Sequence, residues 1–376
     1  MGSNPPTRTQ AEIEADLEAQ MAALDDWDDE EAGPAEEPPP PPVTTKPPAV
    51  APPLIAKAPF REELPQASNI KRQARKLVGT VLEDARMGRQ VEVQQVKDVV
   101  AEMTESMLRN PDALLSLSLI KQNDEYTFMH SVNVGVFLMF FARALGHDEA
   151  VVTQVGIGGM LHDIGKMRVP PEILHKPGKL TDEEFQEMRK HALHSSHILQ
   201  ESPGISEISI TVAGQHHEKY NGRGYPMSLK GDQINHFGQM AAIVDVYDAI
   251  TSDRCYHKGN TPALALKRMY EWSSNDFDPG LFQKFVQCVG IYPLGSLVRL
   301  ENQLLGVVVE TNRGNLLHPI VRIIIDAKQK KRVEPREVDL LAWRGKEGGY
   351  RIIGHEPAEK WGVDPKQHLT DPQLFQ

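Results

Sequence analysis

Histidine and aspartate residues recur in the middle of the chain in a pattern suited to metal binding. Seven of them offer an imidazole nitrogen or a carboxylate oxygen: His130, His162, Asp163, His191, His216, His217 and Asp245. Seven donors exceed the needs of one tetrahedral metal, but they suit two or more octahedral metals that share a bridging carboxylate. Because two adjacent metals can activate a shared hydroxide and direct it at phosphorus, the set predicts a centre for phosphoester hydrolysis.

Asp163 is the candidate bridge, because its two oxygens can reach both metals while the adjacent His162 binds one of them. The other ligands are expected to form two groups, one for each metal: His130, His162 and Asp245, then His191, His216 and His217. A lone histidine is more often an ordinary core or surface residue than a ligand, so the remaining histidines are interpreted in that way. His194 and His197 lie close to His191, and spacing alone does not exclude them.

Helical periodicity across residues 112–289 indicates that helices position these ligands. A helix through His130 should end at Gly146, and the next should run from near Asp148 to residues 162–165. A capping box of Thr181 and Glu184 predicts the start of the helix that carries His191. A helix from Ile205 should carry His216 and His217, and one over residues 240–251 should carry Asp245 and Asp248. A further helix should begin at Thr261 and Pro262.

Different patterns flank this region and predict four parts of the chain. Residues 1–60 form an acidic and proline-rich tail that is expected to be disordered, with a possible short amphipathic helix over residues 9–25. That helix is interpreted either as transient or as a docking helix for a partner. Residues 61–111 show two helical stripes separated by Gly88, and residues 112–292 form the catalytic domain. Residues 293–376 form a β-rich extension and tail, with β segments predicted over residues 297–300, 305–310 and 320–325.

Bulk properties narrow the class of protein. The only cysteines are Cys255 and Cys288, which gives no disulfide framework and fits a reducing cytosol. The longest apolar stretch, residues 132–145, is too short to span a bilayer, and the first residues lack a signal peptide. Residues 1–47 carry a charge of -10 out of -11 for the chain, and no basic face for duplex nucleic acid is evident. These features predict a cytoplasmic protein.

Three sequence blocks around the ligands resemble signatures of the HD-GYP family. They cover residues 161–166 with 169–170 and 173–180, residues 216–226, and residues 245–252 with 254–256. The second block contains the loop residues Gly222, Gly224, Tyr225 and Pro226. The order and spacing of the blocks match over roughly residues 112–300. This resemblance implies a mainly α fold, an HD-type all-helical bundle, here with a small C-terminal β-rich extension.

The resemblance also implies an activity. It implies a phosphodiesterase that hydrolyses cyclic di-GMP to pGpG or GMP, with two divalent metals held by the seven ligands, iron being the first choice and manganese the second. It implies that Lys166 reaches the scissile phosphate beside Asp163 and neutralises charge there. Without that role, Lys166 would be a lysine that pairs with a helix C-terminus.

Other positions have open interpretations. Asp248 follows Asp245 by one helical turn, so it could orient a ligand or the lysine, or contact substrate. Arg254 offers a planar fork for phosphate or a guanine edge, or a surface ion pair, and Lys258 could add a cation. Asp124 matches an acidic position near a third metal that some family members bind. Tyr126 stands where those members carry a glutamate, so two metals are expected.

The mechanism expected from these residues is attack by metal-bound hydroxide on one phosphodiester, with Lys166 and Arg254 balancing the charge. The alternatives are a non-catalytic cyclic di-GMP receptor and a hydrolase of another cyclic dinucleotide. Related proteins suggest that the loop at residues 222–226 contacts diguanylate cyclases, and the first two helices could pair in a homodimer.

Overall fold

The computed structural model describes residues 58–119, 126–174, 176, 180–252, 260–312 and 315–369. Helices occupy most of this chain up to Val289, and a five-stranded antiparallel sheet follows among the described residues. The helices are α1 (Phe60–Arg86), α2 (Val93–Arg109), α3 (Pro111–Leu119), α4 (Tyr126–Ala144), α5 (Glu149–Leu161), α6 (Pro171–Leu174), α7 (Asp182–Arg189), α8 (His191–Gln200), α9 (Glu207–Gln215), α10 (His236–Thr251), α11 (Pro262–Asp276), α12 (Pro279–Val289) and α13 (Lys366–Leu369).

The fold class is confirmed: the protein is mainly helical, with a small sheet at its C-terminal end. Of the predicted tail at residues 1–60, residues 1–57 lie outside the described residues, and the possible helix over residues 9–25 lies there too. Among the residues that are described, no helix is both long and apolar enough to cross a membrane.

Two N-terminal helices, α1 and α2, follow the predicted stripes. Their apolar faces are buried, as at Val78 and Val100, and Gly88 between them adopts φ of 71°. The buried Glu63 of α1 accepts hydrogen bonds from Arg109 (2.7 Å to Nε) and Ser106 of α2. This polar contact therefore joins α1 to α2, while the buried apolar side chains of both helices pack in one core with the helices that follow.

Helices α4 and α5 approach each other closely, which brings their ligands together. A Cβ at Gly159 would lie 2.9 Å from the Cα of Gly135, so a side chain at Gly159 would separate the helices. His130 lies in α4 and His162 directly follows α5. The glycines in these two helices thus set the distance between two predicted ligands.

Start signals in the sequence are confirmed at several helices. Asp148 caps α5, Thr181 and Glu184 form the capping box of α7, and Thr261 caps α11 with Pro262 at its first position. The prediction that one helix runs from Thr181 through His191 is wrong, because the chain turns at Lys190 between α7 and α8.

The C-terminal sheet has the strand order β4-β3-β2-β1-β5. The strands are β1 (Leu297–Leu300), β2 (Leu304–Glu310), β3 (Ile320–Asp326), β4 (Lys331–Asp339) and β5 (Ile352–His355). The first three match the predicted β segments, and their buried side chains join those of the helices in one core. Strands β4 and β5 were not predicted; β4 is an edge strand whose side chains are mostly exposed and charged.

Candidate metal centre

The structure brings all seven predicted ligands to one place. His130 and Asp245 lie within α4 and α10, whereas the others stand at helix ends. His162 and Asp163 follow α5, before a 3₁₀ turn at Ile164–Arg168; His191 begins α8; and His216 and His217 follow α9. Because helix ends leave side chains free to converge, residues from five helices meet around Asp163.

The first predicted ligand group is compact and buried. The Oδ1 of Asp245 lies 3.0 Å from Nε2 of His130 and 3.6 Å from Nε2 of His162. These three side chains place one ligand atom each within 4.8 Å of one another. The spacing therefore allows one cation to contact all three.

The second predicted group forms a triad of imidazoles. The Nε2 of His191 lies 3.4 Å from Nε2 of His216 and 3.1 Å from Nε2 of His217. His217 is the most accessible of the three, with 26% of its side chain exposed. One side of this group therefore faces solvent, where a substrate could enter.

Asp163 lies between the two groups. Its Oδ2 is 3.3 Å from Nε2 of His162, and its Oδ1 is 3.4 Å from Nε2 of His191. Each oxygen thus faces a different group, as a bridging carboxylate requires. Two buried atoms, Nε2 of His162 and Oδ1 of Asp163, have no hydrogen-bond partner, although such atoms are normally paired. Cations are the partners that fit both orphaned atoms, so the residues present suit a pair of metals.

Backbone carbonyls orient three of the imidazoles. The Nδ1 atoms of His162, His191 and His216 each lie 2.7 Å from a carbonyl oxygen three residues earlier, at Gly159, Met188 and Ala213. Because a carbonyl only accepts, Nδ1 must carry the proton in each ring. The lone pair is left on Nε2, the atom that faces the centre.

Asp248 holds the fourth imidazole, that of His130. It is fully buried, and its Oδ2 accepts a hydrogen bond of 2.8 Å from Nδ1 of His130. Ser252 donates a second bond to the same oxygen at 3.2 Å. Of the roles considered for Asp248, orienting a ligand fits this position; contact with substrate does not, because the carboxylate is buried behind His130.

The electrostatics of the site favour ligation. Burial raises the pKa of Asp163, but Lys166 and His162 outweigh it and hold that pKa well below its ordinary value. Burial lowers the pKa of His216 well below its ordinary value and that of His217 to about 3. Carboxylates are therefore ionised and these imidazoles neutral near pH 7, which are the forms that bind metals. In His162 burial is outweighed by Asp163 and Asp245, which raise its pKa to about 10, so a cation that binds there must displace the proton from Nε2.

Lys166 contacts the candidate bridge directly. Its Nζ lies 2.5 Å from Oδ2 of Asp163, and its side chain is partly exposed. The ammonium group of Lys166 therefore lies at the centre, while part of its side chain is in contact with solvent. Its predicted contact with a phosphate stays a prediction.

The loop at residues 222–226 lies against the second ligand group. The ring of Tyr225 stands 4.6 Å from that of His217, and the Tyr225–Pro226 peptide is cis. The buried Glu218 holds this loop by accepting backbone N–H bonds from Met227 (2.7 Å) and Leu229 (2.9 Å). No role was predicted for Glu218; its position directly after the histidine pair was the available signal.

Some predicted residues lie outside the described part of the chain. These are Asp124, Arg254 and Lys258. The roles suggested for them, and the use of Tyr126 to exclude a third metal, stay predictions.

Comparison with known proteins identifies two family models in the chain. Residues 115–281 match "HD domain", and residues 297–344 match "KOW domain associated with HD domain". The second match covers most of the C-terminal sheet. The helices that hold the seven ligands, from His130 in α4 to Asp245 in α10, all lie within the first match.

Curated relatives and a solved structure also resemble the chain. Cyclic di-GMP phosphodiesterase PA4108 of Pseudomonas aeruginosa is 44% identical over 312 residues, covering 83% of this chain and 74% of that protein. 3'3'-cGAMP-specific phosphodiesterase 1 of Vibrio cholerae is 37% identical over 144 residues, covering 38% of this chain and 33% of its own length. Among solved structures, Bd1817 of Bdellovibrio bacteriovorus, described as an HDG"Y"P protein, has a TM-score of 0.49 at 20% identity, covering 58% of this chain and 70% of its own.

Proposed function

We propose that this chain, which belongs to the HD-GYP family of HD-domain proteins, is a metal-dependent phosphodiesterase that hydrolyses cyclic di-GMP. The observation that carries this proposal is the convergence of two ligand groups on the two oxygens of Asp163. The relative from Pseudomonas aeruginosa, whose name states that activity, supports the choice of substrate.

The proposed cofactor is a pair of divalent metals. Imidazole and carboxylate ligands suit iron, which we propose first, and manganese. His130, His162 and Asp245 would hold one metal, His191, His216 and His217 the other, and Asp163 both. Bound there, the metals supply an activated water and a Lewis acid for the phosphodiester.

Groups of the protein itself orient the ligands and stabilise charge on the substrate. Asp248 holds His130 with its Nε2 toward the centre, and the carbonyls of Gly159, Met188 and Ala213 hold the other three rings in the same sense. Lys166 stabilises negative charge on the phosphoryl oxygens as the bond to the ribose 3′ oxygen breaks, and its contact with Asp163 supports this role. The Tyr225 ring packs against that of His217 and restricts the orientation of this imidazole.

A double substitution tests the proposal. His162→Ala with Asp163→Ala should abolish both metal content and the release of pGpG or GMP from cyclic di-GMP, measured by metal analysis and chromatography after anaerobic loading with iron or manganese. The matched control, His194→Ala with Asp182→Ala, replaces the same residue types at positions outside the centre and should retain both. Turnover that persists without metal would overturn the mechanism.

The same assay separates the alternatives. Tight binding of cyclic di-GMP with no cleavage by the metal-loaded protein would make it a receptor. Faster cleavage of 3'3'-cGAMP, the compound named for the Vibrio cholerae relative, would change the substrate. We propose a cytoplasmic location, while contact of the loop with a diguanylate cyclase and formation of a homodimer stay predictions.

A further inference from the structure

A cation–aromatic column leads from the surface to the metal centre. The guanidinium carbon of Arg189 lies 4.7 Å from the ring centroid of Phe185 and 5.1 Å from that of Tyr225. The Tyr225 ring in turn lies 4.6 Å from the ring of His217. The ring of Tyr225 therefore lies between Arg189 and the predicted ligand His217, on the side of the centre that faces solvent.

The edge of the guanidinium is the part of Arg189 that lacks a partner. Its carbon lies within cation–π distance of the rings of Phe185 and Tyr225, whereas its buried Nε has no hydrogen-bond partner. The edge carries the N–H donors, arranged as a fork that matches two oxygens of one anion. A ligand of Arg189 must therefore accept hydrogen bonds in the plane of the guanidinium.

The charge of Arg189 is not balanced by a carboxylate. Within the described ranges, no Asp or Glu forms an ion pair with it, and its buried Nε has no hydrogen-bond partner. Lys166, the other cation at the centre, already pairs with Asp163. A buried, unpaired donor on a cation costs free energy unless a ligand satisfies it, so the position favours an anion.

We propose that Arg189 binds the second, non-reacting phosphate of a cyclic dinucleotide while the first lies at the metal centre. The inference rests on the proposed function, because it needs a substrate with two phosphodiesters in one ring. Arg189 is then a specificity-determining residue: it distinguishes cyclic dinucleotides from substrates with a single phosphodiester.

Binding to the metal-loaded full chain tests this role independently of cleavage. With a hydrolysis-resistant phosphorothioate analogue of cyclic di-GMP as the probe, Arg189→Gln should raise Kd roughly 10- to 100-fold in calorimetry, the range for one charge-assisted hydrogen-bonded pair. Arg189→Lys, which keeps the charge but loses the fork, should give an intermediate Kd. Arg89→Gln removes an exposed arginine elsewhere and should leave Kd unchanged.

A second substrate separates phosphate binding from a structural role. The hydrolysis of bis(p-nitrophenyl) phosphate, which has one phosphodiester, should be unchanged in Arg189→Gln, as should metal content. Equal losses on both substrates would overturn the inference, because Arg189 would then act through Tyr225 and His217. A loss of affinity for cyclic di-GMP clearly greater than for 3′3′-cGAMP would also overturn it, since that pattern indicates recognition of a guanine edge.

Failure of the inference and failure of the proposed function give different results. Unchanged Kd in Arg189→Gln, with normal turnover of cyclic di-GMP by the wild type, overturns only the inference. Tight binding by the wild type that Arg189→Gln weakens, without turnover, overturns only the proposed function. Absence of binding by the wild type overturns both.

Discussion

Asp248 and His130 form a buried pair in which the carboxylate accepts a hydrogen bond of 2.8 Å from Nδ1 of the imidazole. The bond fixes the tautomer of His130, since its Nδ1 must carry the proton and its Nε2 then faces Asp245 at 3.0 Å. A carboxylate makes the ring more basic than a carbonyl does, because its charge stabilises the proton on Nδ1. His130 is thus held differently from the three imidazoles that donate to backbone carbonyls.

Asp248→Asn should weaken metal binding without removing any predicted ligand. The amide can still accept a bond, but it lacks the charge and can rotate its NH₂ group toward Nδ1. Loss of such a partner typically costs about 10- to 100-fold in metal affinity. Metal titration followed by elemental analysis measures the effect, and Asp232→Asn at an exposed carboxylate is the control. Unchanged affinity in Asp248→Asn would show that the His130 tautomer does not depend on this bond.

Lys166→Met should slow turnover more than it weakens binding. The methionine keeps the length of the side chain but removes the charge beside Asp163. If Lys166 stabilises charge that develops in the transition state, kcat falls by about 100-fold or more while KM changes little. Steady-state kinetics on cyclic di-GMP measure both constants, and Lys76→Met on the exposed face of α1 is the control. A rise in KM alone would assign Lys166 to ground-state binding instead.

The predicted ligands could be read from the sequence because their chemistry is rare and their neighbours are distinctive. His162 with Asp163 and His216 with His217 are adjacent pairs of donors, and adjacency survives any error in the helix boundaries. The break between α7 and α8 at Lys190 was missed, since residues 182–200 have helical composition throughout and no glycine or proline marks it.

Residues that act through tertiary contacts were harder to find. Arg189 belongs to a run of ordinary helix residues, and only its cation–π contacts with Phe185 and Tyr225 distinguish it. The strand β4 was missed for a related reason, because an edge strand with solvent on most sides lacks the alternation of a half-buried strand. Sequence patterns indicate which residues are buried, but the role of Arg189 and the pairing of β4 depend on the neighbours that the fold brings to them.

Glu218→Gln should loosen the loop over His217. Both carboxylate oxygens of Glu218 accept backbone N–H bonds, from Met227 and Leu229, and an amide can accept on only one side. One buried N–H then faces an NH₂ group, at a cost of about 1–3 kcal/mol. Hydrogen exchange of the two amides should accelerate, and kcat should fall because Tyr225 is less well held. Glu347→Gln, an exposed change, is the control; equal protection in both variants would contradict this role.

Gly224→Ala should disrupt the same loop by steric conflict. A Cβ at this position would lie 2.3 Å from the backbone N of Lys219 and 2.5 Å from the Cα of Glu218, and neither backbone atom can rotate away. The expected loss is about 3 kcal/mol or more in the free energy of unfolding. Gly354→Ala is the matched control, since nothing lies within 4 Å of its added carbon. Similar thermal unfolding of the two variants would show that the loop can move to make room.

His355 in β5 should make the protein less stable in mild acid. Its Nε2 is buried without a hydrogen-bond partner, and burial lowers its pKa to about 4. An unfolded histidine has a pKa of about 6.5, so the unfolded chain binds the proton first as pH falls. The contribution of His355 to the free energy of unfolding is therefore fully present above pH 6.5 and is lost as the pH falls toward 4.

His355→Leu removes this penalty because leucine does not titrate. Between pH 7 and pH 5, the free energy of unfolding of the wild type should therefore fall by about 2 kcal/mol more than that of the variant. Urea unfolding followed by the fluorescence of Trp343 and Trp361, which lie in the same part of the chain, measures the difference. The equivalent change at exposed His197 controls for the loss of an imidazole. Parallel pH profiles for wild type and His355→Leu would mean that the ring is hydrated or paired in solution, and that its burial does not control the acid response of the sheet.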